Sequence, residues 1–508
     1  MTLPAWTDAL YAPEEMRTVD AWAVERGGVP SEWLMERAGE GLARVVAAAA
    51  RPGPIRVVAG KGNNGGDGLV AARLLRAEGR EVDVLAVAAL DELRGDARLN
   101  LERLPGSPPA PFAAEALGGS GAVVDCVLGT GFAGSPREDV AAVIAAVNAQ
   151  DAPVVACDVP SGVDAASGEV AGEAVRAAIT ATFHGSKIGL WVAPGALHAG
   201  RVVVVPIGVP RGAPAPAEAG LISSRVLELV PARPRHGSKF TSGVVVIAGG
   251  GRGLTGAPAL AAMSAMRTGA GYVQVAVPLS AQPALDLRLL EAMTRGLAEA
   301  DGGHSPAGVP ELVEMAGRAG AVVLGPGLGR GAGALAFALE VARAVEKPVV
   351  IDADGLNAHA GRLDGLRDRR APTVLTPHSG ELGRLLGRPS GEIDAHRLAA
   401  AAEAAERSGA VVVLKGDDTL VAAPGGPVAV SAGATPALAT AGTGDVLSGV
   451  IGALLAKGLG ALEAAAGGVL AHARAGRIAA ERHGANHVIA SDVIDALPAA
   501  FRASESDG

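Results

Sequence analysis

Short apolar runs alternate with longer amphipathic segments along most of the chain. In the first half, runs rich in valine, isoleucine and alanine predict strands at residues 55–59, 81–87, 122–126, 153–157 and 201–206. Alanine-rich segments with apolar residues at helical spacing separate these runs. Strands that alternate with helices are typical of a parallel sheet made of β-α-β units. We therefore predict an α/β fold with a doubly wound sheet for this half.

The second half repeats this alternation with different loop chemistry. Its apolar runs predict strands at residues 244–248, 271–277, 321–324, 348–351, 373–375, 411–414 and 419–422. Between the halves, the segment 211–220 is dominated by proline, alanine and glycine, which favours a semi-rigid linker. A chain of 508 residues is expected to hold two or three domains. We predict a first α/β domain at 1–212, a linker at 213–222 and a second α/β domain at 223–508.

Composition narrows the class of protein. Apolar residues make up 49% and charged residues 19% of the chain, as in ordinary globular proteins. A net charge of −9 and the lack of a basic cluster argue against a nucleic-acid partner. No secretory signal and no apolar run of about twenty residues is visible, so neither export nor a membrane partner is expected and the cytoplasm is the default. The two cysteines, Cys126 and Cys157, are predicted to be buried thiols.

The run GNNGGDG at residues 62–68 is the most informative motif of the first half. It follows the strand predicted at 55–59 and precedes a helix predicted to begin at Leu69. A glycine-rich turn between a strand and a helix presents backbone N–H groups to a phosphate. Two asparagines and an aspartate in the run add amide and carboxylate oxygens. The motif therefore predicts a ligand site.

Two further polar loops follow predicted strands. They begin at Asp125 and Asp158, and ligands of open α/β sheets bind at the carboxyl ends of the strands. Asn64, Asp125 and Ser161 offer hard oxygen ligands, which suit an alkali or alkaline-earth ion. Asp158 precedes a proline-containing turn and is either an acid/base or a turn-capping residue.

The second half carries its own phosphate-type motif, GTGD at residues 442–445. At the start of an apolar helix, these residues form an anion hole, and Asp445 can accept a hydroxyl proton as that oxygen attacks a phosphoryl group. A plain helix cap is the alternative. Lys415–Thr419 suits an adenylate-binding turn. His378 lies in a strand-exit loop beside Glu381, where an isolated histidine is more often inert.

The first half resembles the YjeF N-terminal domain, the NAD(P)H-hydrate epimerase. The resemblance spans residues 10–210 and is carried by LMERAG, GNNGGDG, VVDCVLGTGF, CDVPSGVD and TFHGSK. It implies a Rossmann-like fold that binds the hydrated cofactor and a potassium ion, the latter through Asn64, Asp125 and Ser161. The residues that it implies in contact with the hydrate are Asn63, Asn64, Gly65, Gly66, Asp67, Gly129, Thr130, Gly131, Phe132, Ala133, Gly134, Ser135 and Asp158.

The implied epimerisation has a simple chemistry. The hydrate carries a hydroxyl on the carbon beside the ring nitrogen, whose lone pair can expel it as water. Addition of water to the opposite face then inverts the centre. The reaction needs a proton donor and a proton acceptor. Asp158 is the first candidate and Lys187 the second, although Lys187 is equally explained as a solvated loop lysine.

The second half resembles the ribokinase-like NAD(P)H-hydrate dehydratase over about residues 223–500. The motifs GPGLG, DADGL, TPHSGEL, LKGDDT and AGTGDVLSG occur in the family's order. The resemblance implies phosphoryl transfer from ADP or ATP, with magnesium, to the hydrate hydroxyl, followed by loss of phosphate. It places Ala257, Gly327, His378 and Asp445 at the hydrate. It places Lys415, Gly416, Asp417, Asp418, Thr419 and Gly444 at the nucleotide.

The chain departs from the dehydratase pattern at two places. Leu254 stands where an aromatic residue is frequent, and residues 235–238 are a looser version of the usual His-Lys-Gly motif. These departures concern the packing of the nucleotide rather than the reaction.

Together the two halves predict one bifunctional enzyme that repairs both epimers of NADH and NADPH hydrate. Two alternatives remain open from the residues: a small-alcohol kinase, because GTGD alone does not exclude it, and a scaffold or metabolite sensor in the first half. ADP is the expected phosphoryl donor, although the motifs suit ATP equally. Assembly into a homo-oligomer stays open, because no surface pattern decides it. Channelling of the substrate between the two sites also stays open.

Overall fold

The computed structural model describes residues 3–214, 217–233, 235–433 and 435–502. The described residues divide into two compact units, one within residues 9–219 and the other within residues 220–502 together with residues 3–8. Strand β10 (Ala219–Ile222) lies within the segment predicted as a linker. Ala215 and Pro216 of that segment lie outside the described residues. The predicted domain limits at 212 and 223 remain predictions.

The first unit is built on a parallel sheet with the order β4-β3-β2-β5-β6-β7-β9. Residues 9–11 of strand β1 also belong to the first unit, and this strand pairs with β8. Its strands are β1 (Thr7–Tyr11), β2 (Ile55–Ala59), β3 (Val82–Ala86), β4 (Ala110–Pro111), β5 (Ala122–Cys126), β6 (Val154–Cys157), β7 (Ile179–Phe183), β8 (Ser186–Lys187) and β9 (Arg201–Val205). Its helices are α1 (Pro13–Glu25), α2 (Ser31–Ala49), α3 (Asn63–Ala77), α4 (Gly95–Glu102), α5 (Glu138–Asn148) and α6 (Ala196–Ala199).

Both faces of this sheet are buried under helices. Val57 packs into a cluster with residues of α2 and α3, whereas its neighbour Val58 points to the other face and packs with residues of α5. Because successive side chains of a strand point to opposite faces, a continuous apolar run is what a doubly covered strand requires. Each fully buried valine contributes about 1.5–3 kcal/mol of transfer free energy.

The second unit contains a larger, mostly parallel sheet with the order β13-β12-β11-β16-β17-β18-β19-β20-β21, in which β19, β20 and β21 pair antiparallel. The strands from β10 onward are β10, β11 (Val244–Ala248), β12 (Tyr272–Pro278), β13 (Met293–Leu297), β14 (Glu299–Ala300), β15 (Gly303–His304), β16 (Ala321–Leu324), β17 (Val349–Ile351), β18 (Thr373–Leu375), β19 (Val411–Leu414), β20 (Leu420–Ala422) and β21 (Val428–Val430).

Helices cover this sheet and one of them is almost entirely buried. Helix α16 (Thr443–Ala456) packs closely on α8, because a Cβ on Gly449 would lie 2.1 Å from the Ala261 carbonyl oxygen. The helices are α7 (Arg225–Glu228), α8 (Gly256–Arg267), α9 (Gln282–Asp286), α10 (Val309–Gly317), α11 (Ala332–Ala344), α12 (Asp354–Ala358), α13 (Ser379–Leu386), α14 (Ser390–Ala395), α15 (Arg397–Ser408), α16, α17 (Ala461–His483) and α18 (Ala490–Arg502).

The predicted α/β class and the predicted strands are confirmed, with ends within a residue or two. Strands β1, β4, β7, β8, β10, β13, β14, β15 and β21 were not predicted, because they are short or mix apolar residues with polar residues or glycine. The helix predicted to begin at Leu69 begins at Asn63, so the expected loop is largely the first turns of α3. Among the described residues, no helix combines the length and the apolar character needed to cross a bilayer.

Candidate functional site

A cavity of about 890 Å³ opens at the carboxyl ends of the strands in the first unit. The predicted site residues that line it are Asn63, Asn64, Asp67, Gly129, Thr130, Gly131, Phe132, Asp158 and Lys187. Helix α1 forms another part of the wall through Met16, Arg17 and Asp20. The three polar loops of the sequence therefore meet around one space, which is large enough for a cofactor-sized ligand.

Three of the four glycines of the GNNGGDG motif are required by the close packing of helix α3. A Cβ on Gly65 would lie 2.0 Å from the Gly60 carbonyl oxygen, and one on Gly66 would lie 2.8 Å from the Met35 sulfur. With no side chains in the way, the helix begins directly against the end of β2. Its first turn, which carries Asn63 and Asn64, presents free N–H groups at the cavity.

Asp158 lies at the end of β6 in a left-handed backbone conformation, with a φ of 65°. Aspartate is one of the few residues that tolerate this conformation, which is common at functional positions. Its Oδ1 accepts hydrogen bonds from Lys187 Nζ at 2.5 Å, from Thr182 Oγ1 at 3.0 Å and from the Phe183 N–H at 3.1 Å. The carboxylate is therefore held in one orientation at the cavity wall.

Lys187 is a buried residue, with only 1% of its surface exposed. Its ammonium group also donates to Thr182 Oγ1 at 3.1 Å and to the Phe183 carbonyl at 3.0 Å. Pairing of β8 with β1 places Lys187 opposite Tyr11 and fixes its backbone. The alternative of a solvated loop lysine is therefore wrong, and the two acid/base candidates of the sequence form one ion pair.

Two more carboxyl groups share this part of the cavity. Burial, and after it the charge of Asp158, raises the pKa of Asp67 well above its usual range. Burial also raises the pKa of Asp20, on which Lys187 acts in the opposite direction. The carboxyl group of Asp67 makes no hydrogen bond within the described part of the chain. Burial and the neighbouring negative charges thus favour the protonated form of Asp67.

The three residues predicted to hold potassium are linked through the Leu128 backbone. Ser161 donates from Oγ to Asp125 Oδ1 at 2.6 Å and from its N–H to Oδ2 at 2.8 Å. The Leu128 N–H donates to Ser161 Oγ at 2.8 Å, and Asn64 Nδ2 donates to the Leu128 carbonyl at 2.7 Å. Burial raises the pKa of Asp125, and the hydrogen bonds from Ser161 oppose that shift.

These residues fit an alkali ion by the chemistry of their donors. Asp125 is fully buried, and no lysine or arginine of the described residues pairs with it. Carboxylate, amide, hydroxyl and carbonyl oxygens cluster around it, and such oxygens suit hard cations. No group of three or more His, Cys, Asp or Glu that could hold a metal occurs in the described ranges.

Several residues that the resemblance places at the hydrate are not part of the cavity wall. Gly65 and Gly66 face the end of β2 and helix α2 instead. Ala133, Gly134 and Ser135 lie beyond the lining part of their loop, and a Cβ on Gly172 would lie 2.9 Å from Ser135 Oγ.

In the second unit, helix α16 begins at the GTGD motif, as predicted. Gly442 has a φ of 92°, which glycine adopts without strain. Thr443 Oγ1 donates to the carbonyls of Leu438 and Thr440 at 2.8 and 2.9 Å, which anchors the preceding turn. Because the first N–H groups of a helix have no partner within the helix and the helix dipole favours negative charge, this helix start is suited to bind an anion.

Asp445 lies in the first turn of α16 within a network of charges. Burial, and after it the charge of Asp352, raises the pKa of Asp445 to about 7, and Lys415 acts in the opposite direction. A carboxyl group with a pKa near neutrality is suited to take up a proton during catalysis.

Lys415 is the centre of that network. Its Nζ lies 3.1 Å from Asp352 Oδ1 and 3.7 Å from Glu381 Oε2, and a Cβ on Gly444 would lie 3.5 Å from it. Burial alone would lower the pKa of Lys415, but the carboxylates of Asp352 and Glu381 outweigh it and the net shift is upward. The ammonium group is therefore charged and lies beside the start of α16.

The KGDDT turn is held by an arginine that the sequence did not reveal. Arg397 Nε donates to Asp418 Oδ2 at 2.9 Å, and its Nη2 lies 2.8 Å from Oδ1. The guanidinium group also donates to the Lys415 carbonyl at 3.3 Å and to Ser379 Oγ at 3.2 Å. Asp418 is thus a buried structural residue, whereas Gly416 and Asp417 are exposed. Thr419 Oγ1 closes the turn by donating to the Gly416 carbonyl at 2.8 Å.

The residues expected at the hydrate are Ala257 in the first turn of α8, Gly327 in the loop after β16 and His378 at the start of α13. Gly327 has a φ of 63°, and a Cβ there would lie 3.1 Å from Ala257 Cβ, so these two residues touch. His378 caps helix α13, accepting from the Gly380 N–H at 3.0 Å. Burial lowers the pKa of His378, and Glu381 opposes that shift.

Some residues of these sites were not singled out from the sequence. Asp352 and Glu381 occur in motifs that were noted, but their contacts with Lys415 depend on the packing of three strands. Ser448 donates from Oγ to Asp352 Oδ2 at 2.7 Å, one turn after Asp445 on α16. Asp20 and Arg397 carry no sequence signal, because both occur in ordinary amphipathic helices.

Comparisons with known proteins cover both units. Residues 31–189 match the family described as the YjeF-related protein N-terminus, and residues 244–499 match the family described as NAD(P)H-hydrate dehydratase. The bifunctional NAD(P)H-hydrate repair enzyme Nnr of Salinibacter ruber is 41% identical over 95% of this chain and 94% of its own length. The enzyme of the same name from Moorella thermoacetica is 39% identical over 98% and 97%.

A solved structure extends the comparison to the fold of the second unit. The chain is similar to a ribokinase-like superfamily protein from Enterococcus faecalis, with a TM-score of 0.50 and 27% identity. The match covers 56% of this chain and 96% of that protein.

Proposed function

The chain belongs to the family of bifunctional NAD(P)H-hydrate repair enzymes, and from this premise we propose which residues carry its two reactions. Its first half is the NAD(P)H-hydrate epimerase, which interconverts the R and S forms of the hydrate. Its second half is the ADP- or ATP-dependent dehydratase, which returns the S form to NADH or NADPH. Family membership favours these reactions over the small-alcohol kinase and the scaffold that the motifs alone left open.

Asp445 is the proposed general base of the dehydratase, and its position is the observation that carries the proposal. The group combines a pKa of about 7 with a place in the first turn of α16, beside the anion site and Lys415. It takes the proton of the hydrate hydroxyl as that oxygen attacks the terminal phosphoryl group. The N–H groups of the helix start and the Lys415 ammonium stabilise the charge on the transferred group.

The other proposed ligand contacts of the second unit are made by the motifs identified in the sequence. The hydrate lies against Ala257, Gly327 and His378, and the adenine nucleotide lies along the KGDDT turn and Gly444. Arg397 does not touch the nucleotide but positions the turn through Asp418. Magnesium fits as an ion held chiefly by the phosphates, because such ions are usually bound with substrate oxygens and few protein ligands.

In the first unit, Asp158 and Lys187 are the proposed acid/base pair, and the hydrate occupies the cavity that they line. The N–H groups at the start of α3 and the loop 129–132 are placed to bind its phosphates. Potassium would be held by Asn64, Asp125 and Ser161, where it would balance the buried Asp125 charge and fix the start of α3 relative to the neighbouring loop.

We further propose ADP as the donor in the cell and the cytoplasm as the compartment. Cys126 and Cys157 support the second proposal, because they are free thiols on neighbouring strands and stay unpaired, as in a reducing compartment.

The test is the recovery of absorbance near 340 nm, the dihydronicotinamide band, from a mixture of S and R NADH hydrate. Potassium and magnesium are present, with ADP or ATP in separate reactions. Full recovery with one nucleotide supports both activities and identifies the donor. Recovery that stops at the S fraction contradicts the role of the first unit. No recovery with either nucleotide contradicts the proposed dehydratase site.

A further inference from the structure

Asp67 has an environment that its place in the GNNGGDG motif does not explain. It is 8% exposed, it lines the cavity, and its carboxyl group makes no hydrogen bond among the described residues. Buried polar groups nearly always have partners, so an unpartnered one that faces a ligand cavity points to a partner on the ligand. A purely structural aspartate would instead cap a helix or form an ion pair.

The charges around Asp67 favour its neutral form. The groups that act on it are Asp158 and Asp20, which are acidic, and Lys187, which is the nearby cation. Lys187 forms an ion pair with Asp158 at 2.5 Å. Its charge lowers the pKa of Asp67 by less than the charge of Asp158 raises it. Since burial also penalises its charged form, the protonated form of Asp67 is favoured, whereas Asp158 accepts a hydrogen bond from the Lys187 ammonium group.

We propose that Asp67, rather than Lys187, is the general acid of the epimerase, with Asp158 as the general base and Lys187 as the residue that positions Asp158. This inference rests on the proposed epimerase function and assigns to Asp67 a step beyond substrate binding. The Asp67 carboxyl group faces the hydroxyl of one hydrate epimer, and Asp158 faces the opposite side of the ring.

The proposed step is balanced in atoms and electrons. Asp67 gives its proton to the hydroxyl oxygen, the carbon–oxygen bond breaks, and the nitrogen lone pair forms a carbon–nitrogen double bond as water leaves. A second water attacks the same carbon from the other face, returns the electron pair to nitrogen and gives its extra proton to Asp158. The reverse reaction exchanges the two roles, and the protons re-equilibrate with solvent between turnovers.

The first experiment follows the ratio of R to S hydrate by chromatography on the full chain with potassium and without nucleotide, so that dehydration does not consume either epimer. Asp67→Asn keeps the size of the side chain and removes the acid. We expect kcat for inversion to fall by at least about 100-fold, as for loss of a general acid. The KM should change little, and thermal stability should not decrease.

Asp151→Asn is the matched control, because Asp151 is exposed in a loop away from the cavity and should leave the rate unchanged. A rate for Asp67→Asn within about threefold of the parent overturns the proposal. If the parent chain itself inverts neither epimer while Asp445-dependent dehydration of S hydrate proceeds, the proposed epimerase function fails, and the role of Asp67 fails with it.

A second measurement does not depend on the folding of any variant. The parent chain inverts R hydrate in water enriched in oxygen-18, and the S product is analysed by mass spectrometry. Elimination and re-addition of water predict one solvent oxygen gained for each inversion. Inversion without incorporation would mean that no solvent water adds to this carbon, and this outcome overturns the proposal.

Discussion

Lys187 Nζ lies 2.5 Å from Asp158 Oδ1 inside the cavity of the first unit, although the two residues belong to different strands and loops. The ion pair is almost fully buried, with side-chain exposures of 2% and 14%. A buried pair of this kind is strongly destabilised when one partner is removed, because the other charge is left uncompensated. It therefore links the chemistry of the cavity to the stability of the unit.

Removing the carboxylate of Asp158 should separate the two activities. We expect Asp158→Ala to slow use of the R hydrate by about 100-fold or more, because it removes the proton acceptor. Use of the S hydrate should remain, because the second unit is untouched. Progress curves at 340 nm on each purified epimer provide the measurement. Unchanged kinetics with the R epimer would remove Asp158 from the reaction.

The converse substitution is Asp445→Asn in the second unit. Dehydration of the S hydrate should fall by about 100-fold or more, since the amide cannot accept the hydroxyl proton. Interconversion of the epimers, measured by chromatography without nucleotide, should proceed at the parent rate. Equal loss of both activities would contradict the division of labour between the units.

The pH dependence of dehydration should report the ionisation of Asp445. Because its pKa is raised to about 7, the group is protonated and inactive as a base below that pH, and kcat/KM for the S hydrate should rise through about pH 7. Asp352→Asn removes a negative charge that raises this pKa, so the midpoint should move to lower pH. A profile without a rise near neutrality would count against Asp445 as the base.

Arg397 should matter for both stability and nucleotide affinity. Arg397→Met leaves the buried Asp418 carboxylate without its partner, which should cost about 3–5 kcal/mol of unfolding free energy. The KM for the nucleotide should rise, because the KGDDT turn loses its anchor. Denaturant unfolding and initial rates provide the two measurements.

Arg407 offers the matched control for this substitution. It pairs with the exposed carboxylate of Asp364 at 2.8 Å. Arg407→Met should therefore cost about 0–1 kcal/mol and leave the nucleotide KM unchanged. Similar losses for the two variants would show that Arg397 has no special role at the turn.

Potassium should act on one activity only. Replacing it with tetramethylammonium at constant ionic strength should slow inversion of the R hydrate and spare dehydration of the S hydrate, because only Asn64, Asp125 and Ser161 offer the proposed site. Asp125→Asn should lower the activity and remove its dependence on the ion. Equal inversion rates in both salts would contradict the proposal.

The sequence was sufficient for the parts of the fold that local pattern determines. The valine-rich runs predicted β2, β5, β11 and β16 because doubly covered strands are apolar throughout. The position of GTGD at the start of α16 followed from the apolar run behind it. The start of α3 was placed too late, because glycines were taken as loop residues although here close packing requires them.

The parts that could not be predicted depend on contacts between distant segments. Burial of Lys187 requires β8 to pair with β1, which lies near the beginning of the chain. The bond between Arg397 and Asp418 joins a helix to a turn after the next strand, and neither residue stands out by type or spacing. Local sequence carries no information about such pairings, so the charge networks of both candidate sites became visible only in the structure.

The close packing of helix α3 affects how active members of this family can be recognised from their sequences. Gly65, Gly66 and Gly68 each press against a different neighbour, and Gly68 faces the sulfur of Cys126. Selection for folding alone would therefore preserve these glycines, even in a descendant that had lost catalysis. Sequence surveys that separate active members from members that have lost catalysis should therefore weigh Asp67, whose buried carboxyl group has no hydrogen-bond partner among the described residues.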